Sequence, residues 1–296
     1  MTNPRKFVDL MFKTTGKYAN WELAKEIRVG DYGDVDRKTG AFEKDGNIYD
    51  EGLIPNKTDE DNIVLGQLLD HWKVSTNTAR QCHFSAGPEI KLAGMVDVAL
   101  TGTWEFSGQR GAVLLMHLPQ LYTIPNNKLL KRLYDVKELK GKYIVSDAYT
   151  CPASSLYLSG KSDEQVTFTL HADIDPSVAA LAGVPIGLGG GAKAGWSASN
   201  VTGMHQSAGS VKSTGRYTPL FTLKRRKWYE MFRGHPVKPI PEGDDRWEDK
   251  ELPWGPLDSD GEDALDGGED DDEYSDIEDV SDEVRRLPRT TSQLHM

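Results

Sequence analysis

A β-rich globular body of about 240 residues followed by a short, strongly acidic tail is the architecture the sequence predicts. Three observations carry that expectation. Apolar and polar residues alternate over two unusually long stretches. Charge is split unevenly along the chain. From Pro236 onward the composition shifts to Pro, Asp, Glu, Gly and Ser.

The charge split locates the body. Residues 242–296 hold 5 Lys+Arg against 21 Asp+Glu, which leaves 30 against 25 for residues 1–241 and −11 for the whole. The body is therefore basic and the acidity belongs to the tail, a pairing that points to an acidic partner with which the tail competes. Hydrophobic residues make up 38% of the chain, low for a fully globular protein, and the tail accounts for the shortfall. Cys82 and Cys151 are the only cysteines and form no C-x-x-C pair, so neither a zinc ribbon nor a disulfide framework is expected and a reducing, intracellular setting fits. No signal peptide and no transmembrane helix are expected. Short alternating strands of a membrane barrel are not excluded by that.

Along the chain, Asn3-Pro4 suits a helix start, and Phe7, Leu10 and Met11 then share one face. Arg5, Lys6, Lys13 and Lys17 surround that face, as on an amphipathic helix at an anionic membrane or an ordinary packed helix. Residues 30–50 read as two strands and a turn, with Val29, Val35, Phe42 and Ile48 partly buried. A calcium loop does not fit there, because Lys38 falls where an oxygen ligand is needed. Leu65, Leu68, Leu69 and Trp72 mark a further helix by spacing.

The alternation is clearest at 90–106. Ile90, Leu92, Val96, Val98, Leu100, Trp104 and Phe106 occupy even positions, with Asp97, Thr101, Thr103 and Glu105 among the odd ones. That is a strand with one apolar face, longer than the usual ~5–6 residues. Gly108 then turns the chain toward the apolar run Ala112–Met116. A second region repeats the theme: Val166, Phe168 and Leu170, then Val184, Ile186 and Leu188. A membrane-crossing strand needs about 9–11 residues, and both regions are long enough. A soluble sandwich buried on one face has the same pattern. Between them Pro125-Asn126-Asn127 opens a helix with the stripe Leu129, Leu130, Leu133, Val136 and Leu139, and Lys128, Lys131 and Arg132 on its exposed side. Lys224, Arg225, Arg226 and Lys227 precede Trp228-Tyr229, which suits an interfacial membrane patch, a nucleic-acid patch or a nuclear localisation signal. Residues 236–257 form a proline-rich linker. Residues 258–296 are too polar to fold.

No catalytic signature is found. The histidines are scattered, and Gly187–Ala192 lacks the Lys-Ser/Thr of a phosphate loop. The expectation is a protein that is not an enzyme, with no catalytic residues, no metal site, no cofactor and no nucleic-acid partner.

Several segments, in their order, resemble the pore-forming domain of gasdermins, above all the short fungal gasdermin-like cell-death proteins. They are the basic helix at 4–17, Gly30-Asp31-Tyr32-Gly33 to Gly46-Asn47-Ile48-Tyr49, and Ile90-Lys91-Leu92-Ala93-Gly94. Gly111–Pro119, the Leu129–Leu139 helix and Tyr143-Ile144-Val145-Ser146-Asp147-Ala148 complete the series. The resemblance spans about residues 4–235 and implies an α+β fold for residues 1–235, a twisted antiparallel sheet with surrounding helices. It implies binding to acidic phospholipids through Arg5, Lys6, Lys13, Lys17, Lys128, Lys131, Arg132 and Lys224 to Lys227. It implies a homo-oligomeric pore into which 82–118 and 163–200 refold as hairpins. A cytoplasmic soluble form would move to the cell membrane after a protease removes the tail. Residues 242–296 are too few and too polar for the repressor domain of animal gasdermins, and the N-terminal lipidated cysteine of bacterial relatives is absent. The competing readings are a soluble binding module without membrane activity and a nuclear protein with an acidic interaction tail.

Overall fold

The computed structural model describes residues 3–91, 95–107, 110–172, 193–199, 202–209, 216–227 and 246–255. The chain runs through α1 (Asn3–Thr15), β1 (Tyr18–Ala19), β2 (Asp31–Val35), β3 (Phe42–Asn47), β4 (Val64–Leu68), β5 (His71–Ser75), β6 (Ala79–Lys91), β7 (Met95–Phe106), β8 (Ala112–His117) and β9 (Gln120–Thr123). After α2 (Asn127–Leu133) come β10 (Tyr143–Cys151), β11 (Ala153–Leu158), β12 (Gln165–Ala172), β13 (Lys193–Ser199), β14 (Met204–Gly209), β15 (Tyr217–Arg226) and β16 (Trp247–Asp249). All these residues belong to one compact unit, Met1–Asp263.

The strands form three antiparallel sheets. The first is built on the path β1-β15-β10-β2-β3, with β16 also on β15 and β9, then β4, on β10; the second runs β14-β11-β8-β5 and the third β13-β12-β7-β6. The α+β arrangement with surrounding helices is therefore not what forms. Among the described residues there are two α-helices and two short 3-10 turns, at Asp59–Asp61 and Lys137–Leu139, against these sheets.

Two expected helical stretches explain the difference. The Leu65, Leu68, Leu69, Trp72 spacing meets no core: Leu65 is 56% and Leu68 38% exposed. A helix gains little without an apolar face to bury, and Gly66 weakens one further. The backbone instead pairs β4 with β9 and β5 with β8. The second stretch begins as expected, with Asn126 Oδ1 accepting from Leu129 N. It stops at Leu133, where the Arg226 guanidinium donates to the carbonyls of Leu133 and Val136. Leu139 still reaches the core, from the following 3-10 turn.

The long alternation is also divided. Ile90 lies in β6 and only Met95–Phe106 is continuous strand, so the pattern belongs to a hairpin in which β6 and β7 pair from Ala79↔Phe106 to Lys91↔Met95. Leu92 lies outside the described residues. The run after Gly108 does not pair with β7 but joins the second sheet as β8.

The second sheet is the central layer. Every residue of β8 and β11 is buried. Ala112, Leu114, Met116, Leu156 and Leu158 pack toward Phe7 and Met11 of α1. Val113, Leu115 and Tyr157 face the third sheet. Burial on both faces explains why Ala112–Met116 reads as a continuous apolar run rather than an alternating one. Helix α1 ends at Gly16, whose φ of +68° suits glycine at a helix C-terminus. Val29, Val35, Phe42 and Ile48, expected to be partly buried, lie in the core of the first sheet.

Candidate functional site

The third sheet consists of two adjacent hairpin pairs. β7 and β12 are its inner strands, in register from Gln165↔Glu105 to Ala172↔Val98. β6 and β13 are its outer ones. Its inward face is Leu100, Trp104, Phe106, Val166, Phe168 and Leu170, all at most 1% exposed. Its outward face is small and polar: Thr103 Oγ1 and Thr167 Oγ1 are 2.9 Å apart, and Thr101 and Thr169 are register partners. Burying six such apolar side chains stabilises the soluble arrangement by on the order of 10 kcal/mol. The sheet therefore leaves this position only for another apolar environment.

Gly102 is needed within it. A Cβ there would lie 2.2 Å from Trp104 Cη2, so the indole rests directly over the glycine. The Trp104 Nε1 donor is buried without a partner, which costs about 1–3 kcal/mol.

One carboxylate fastens the base of the sheet. Glu164 is fully buried and accepts from Tyr157 OH at 2.7 Å, Gly160 N at 3.2 Å, Thr202 N at 2.9 Å and Thr202 Oγ1 at 2.6 Å. Burial acts to raise its pKa, but the donors from Thr202, Tyr157 and Gly160 outweigh it and hold the carboxyl below its ordinary value. Tyr157 is pushed up by burial and by that carboxylate. The backbone closes the junction, with Phe106 N donating to Glu164 O and Asp163 N to Phe106 O. Nearby, His205 Nε2 lies 2.8 Å from Ser155 Oγ.

The basic residues are more committed than their sequence clustering implies. Arg5 lies over the Trp254 ring at 4.9 Å, Lys6 is 5% exposed, Lys13 pairs with Asp9 at 3.0 Å and Lys17 donates to Thr222. Arg132 holds the carbonyls of Pro55 and Asn56 and the Asp61 carboxylate. Lys224 pairs with Asp249 at 2.8 Å, Arg225 lies over Tyr143, Arg226 caps α2, and Lys227 N donates to Arg246 O. Lys128 and Lys131 are exposed on α2. Of the expected inserting residues, Ile90, Val96 and Val98 lie in β6 and β7. Val184, Ile186 and Leu188, like Leu92, lie outside the described residues.

Sequence reasoning missed a strap. Residues 246–255, within the stretch read as a linker, lie against the first sheet. β16 pairs with Lys224–Arg226 of β15. Trp247 is 1% exposed and donates its indole N–H to Leu130 O at 2.6 Å. Tyr18 OH donates to Glu251 O at 2.7 Å. A cavity of about 380 Å³ lies under the strap, lined in part by Lys17, Thr222, Lys224, Asp249 and Glu251. The available signal was Trp247 and Trp254, two large apolar side chains in an otherwise polar stretch. Among the described residues no helix is long and apolar enough to cross a membrane, and no group of His, Cys, Asp and Glu is arranged to hold a metal ion.

No family model matches the sequence, and no curated protein matches it. Among solved structures, a cryo-EM structure of the gasdermin A3 membrane pore is 11% identical, with 75% of this chain and 88% of that chain covered and a TM-score of 0.20. Likeness at that score is weak and does not establish a shared fold.

Proposed function

We propose that this chain is a membrane pore-forming protein that executes regulated, lytic cell death, in the way the gasdermin resemblance implies. The observation that supports this most is the hairpin sheet. Its strands β6 and β7 are 13 and 12 residues long, it is apolar on one face and Thr-rich on the other, and it is layered on a second sheet that is already buried on its opposite side. A bilayer replaces the apolar contact with Val113, Leu115 and Tyr157, while the Thr face turns to water. Strands in hydrocarbon need every backbone group paired, which requires closure into a ring. Insertion is thereby tied to self-association. The soluble form is cytoplasmic and the active form sits at the cell membrane.

Acidic phospholipids are the partner. Lys128 and Lys131 on α2 are the exposed cations for first contact, and those under the strap join them when it leaves. A protease cutting within 234–260 removes the acidic residues beyond the cut, and a cut before residue 246 releases the strap with them. The test is dye release from vesicles. Release from anionic vesicles, with little from neutral ones, is the expected result. Equal inactivity of the full-length protein and of a 1–240 fragment on anionic vesicles would refute the proposal and favour a soluble binding module.

A further inference from the structure

Across the hairpin sheet one row of register partners is almost entirely aromatic. Phe84 of β6 stands opposite Gly102 of β7, Gly102 opposite Phe168 of β12, and Phe168 opposite Trp196 of β13. The single gap, Gly102, is filled by the Trp104 ring lying over it. Trp104 and Phe168 are in contact, with ring centroids 5.5 Å apart.

The two sides of this row differ in polarity. Away from the base, the same face continues as Leu100 and Leu170, both buried, and β7 offers ten residues from Met95 to Trp104, within the ~9–11 that a tilted strand needs to cross hydrocarbon. Toward the base, two residues beyond Val166, comes Glu164. Its carboxylate is held by four hydrogen bonds from the fixed part of the fold. A carboxylate on a lipid-facing strand does not enter the hydrocarbon without a large penalty, so the sheet stops short of Glu164. Trp104 itself carries an unpartnered indole donor in the soluble arrangement. An amphipathic ring of this kind is satisfied at the level of lipid headgroups, where apolar body and polar N–H both find partners.

We infer that Phe84, Trp104, Phe168 and Trp196 form an aromatic belt that binds the headgroup–acyl boundary of the bilayer and sets the depth to which the hairpin sheet inserts. This rests on the pore-forming reading. The belt is the sheet's lipid-recognition element, and Met95–Trp104 of β7 is the part matched to membrane thickness.

The belt is tested by depth-dependent quenching of tryptophan emission. Full-length or strap-released protein is bound to anionic vesicles containing lipids brominated either near the headgroup, at acyl carbons 6–7, or deep, at carbons 11–12. The emission lost in Trp196→Phe reports Trp196. A second protein, Phe84→Trp in the Trp196→Phe background, reports the other edge of the row at a position that is only partly buried. Both probes are expected to be quenched at least twofold more by the shallow bromines. Equal or stronger quenching by the deep bromines, or none from either, together with normal dye release from the same vesicles, overturns the belt and leaves the pore. Absence of dye release under every condition overturns both.

Discussion

Burial keeps the His205 imidazole neutral: its pKa is pushed down to about 4, and its ring stacks on Phe168 at 5.5 Å. The folded value lies below the ordinary ~6.5, so the unfolded chain takes up the proton first. Stability from this group is complete above about pH 6.5 and is lost as the pH falls toward 4. Glu164 acts in the same direction lower down. Its depressed carboxyl contributes stability that is present above the ordinary carboxylate range and lost on acidification through its folded value. Both groups sit at the base of the hairpin sheet, so acid loosens that junction. Between pH 7 and 4.5 the wild type is expected to lose roughly 1–3 kcal/mol through His205, and His205→Gln is expected to flatten that slope. Urea unfolding of both proteins at the two pH values checks this; parallel losses would refute it. Neither residue stands out in the sequence. Glu164 follows Asp163 and reads as surface, and only the fold brings Tyr157 and Thr202 to its oxygens.

At the scale of elements, legibility followed burial. β12 shows its alternation because one face is buried and the other is not, and β8 shows a continuous run because both faces are. The start of α2 was legible from Asn126. Its end was not, since Arg226 arrives from about ninety residues away. β4 and β5 were misread because exposed leucines at helical spacing carry no information about what lies beneath them. The charge clusters were legible as charge, but not as ion pairs and caps, whose partners come from distant strands. The strap was hidden by its acids and by the prolines on either side of Trp247. Its worth can be measured: Trp247→Ala removes a buried indole and its hydrogen bond to Leu130 O, and a loss of about 3–5 kcal/mol is expected. If the strap restrains the basic elements, the uncut variant also releases dye from anionic vesicles faster than the wild type. A destabilised variant that leaks no faster would show the strap to be structural only.

For the molecule as a whole, charge separation dominates. The body carries 30 cationic against 25 acidic residues and the remainder 5 against 21. Each Lys or Arg brought near an anionic membrane contributes about 1 kcal/mol, and this attraction is screened beyond roughly 10 Å at 0.1 M salt. Replacing the acids of 258–283 by Asn and Gln, without cutting, is expected to raise vesicle binding several-fold at low salt and little at 0.5 M salt. Co-sedimentation across a salt series measures it. A variant as silent as the wild type, beside an active 1–240 fragment, would assign restraint to the strap alone and none to charge.

The contact between Arg5 and Trp254 joins residues almost 250 positions apart. Loop-closure entropy makes such a contact among the most costly to form from an open chain. During synthesis the earlier part of a chain also begins to fold before the later part is available. Helix α1, strands β1 to β15 and the hairpins they form all precede the strap in sequence. A newborn molecule therefore passes through a stage in which its body is assembled and its clasp is not yet made. The interval is set by translation, and on the proposed pore-forming reading it is the slowness of self-association at low nascent concentration that keeps such a molecule from inserting.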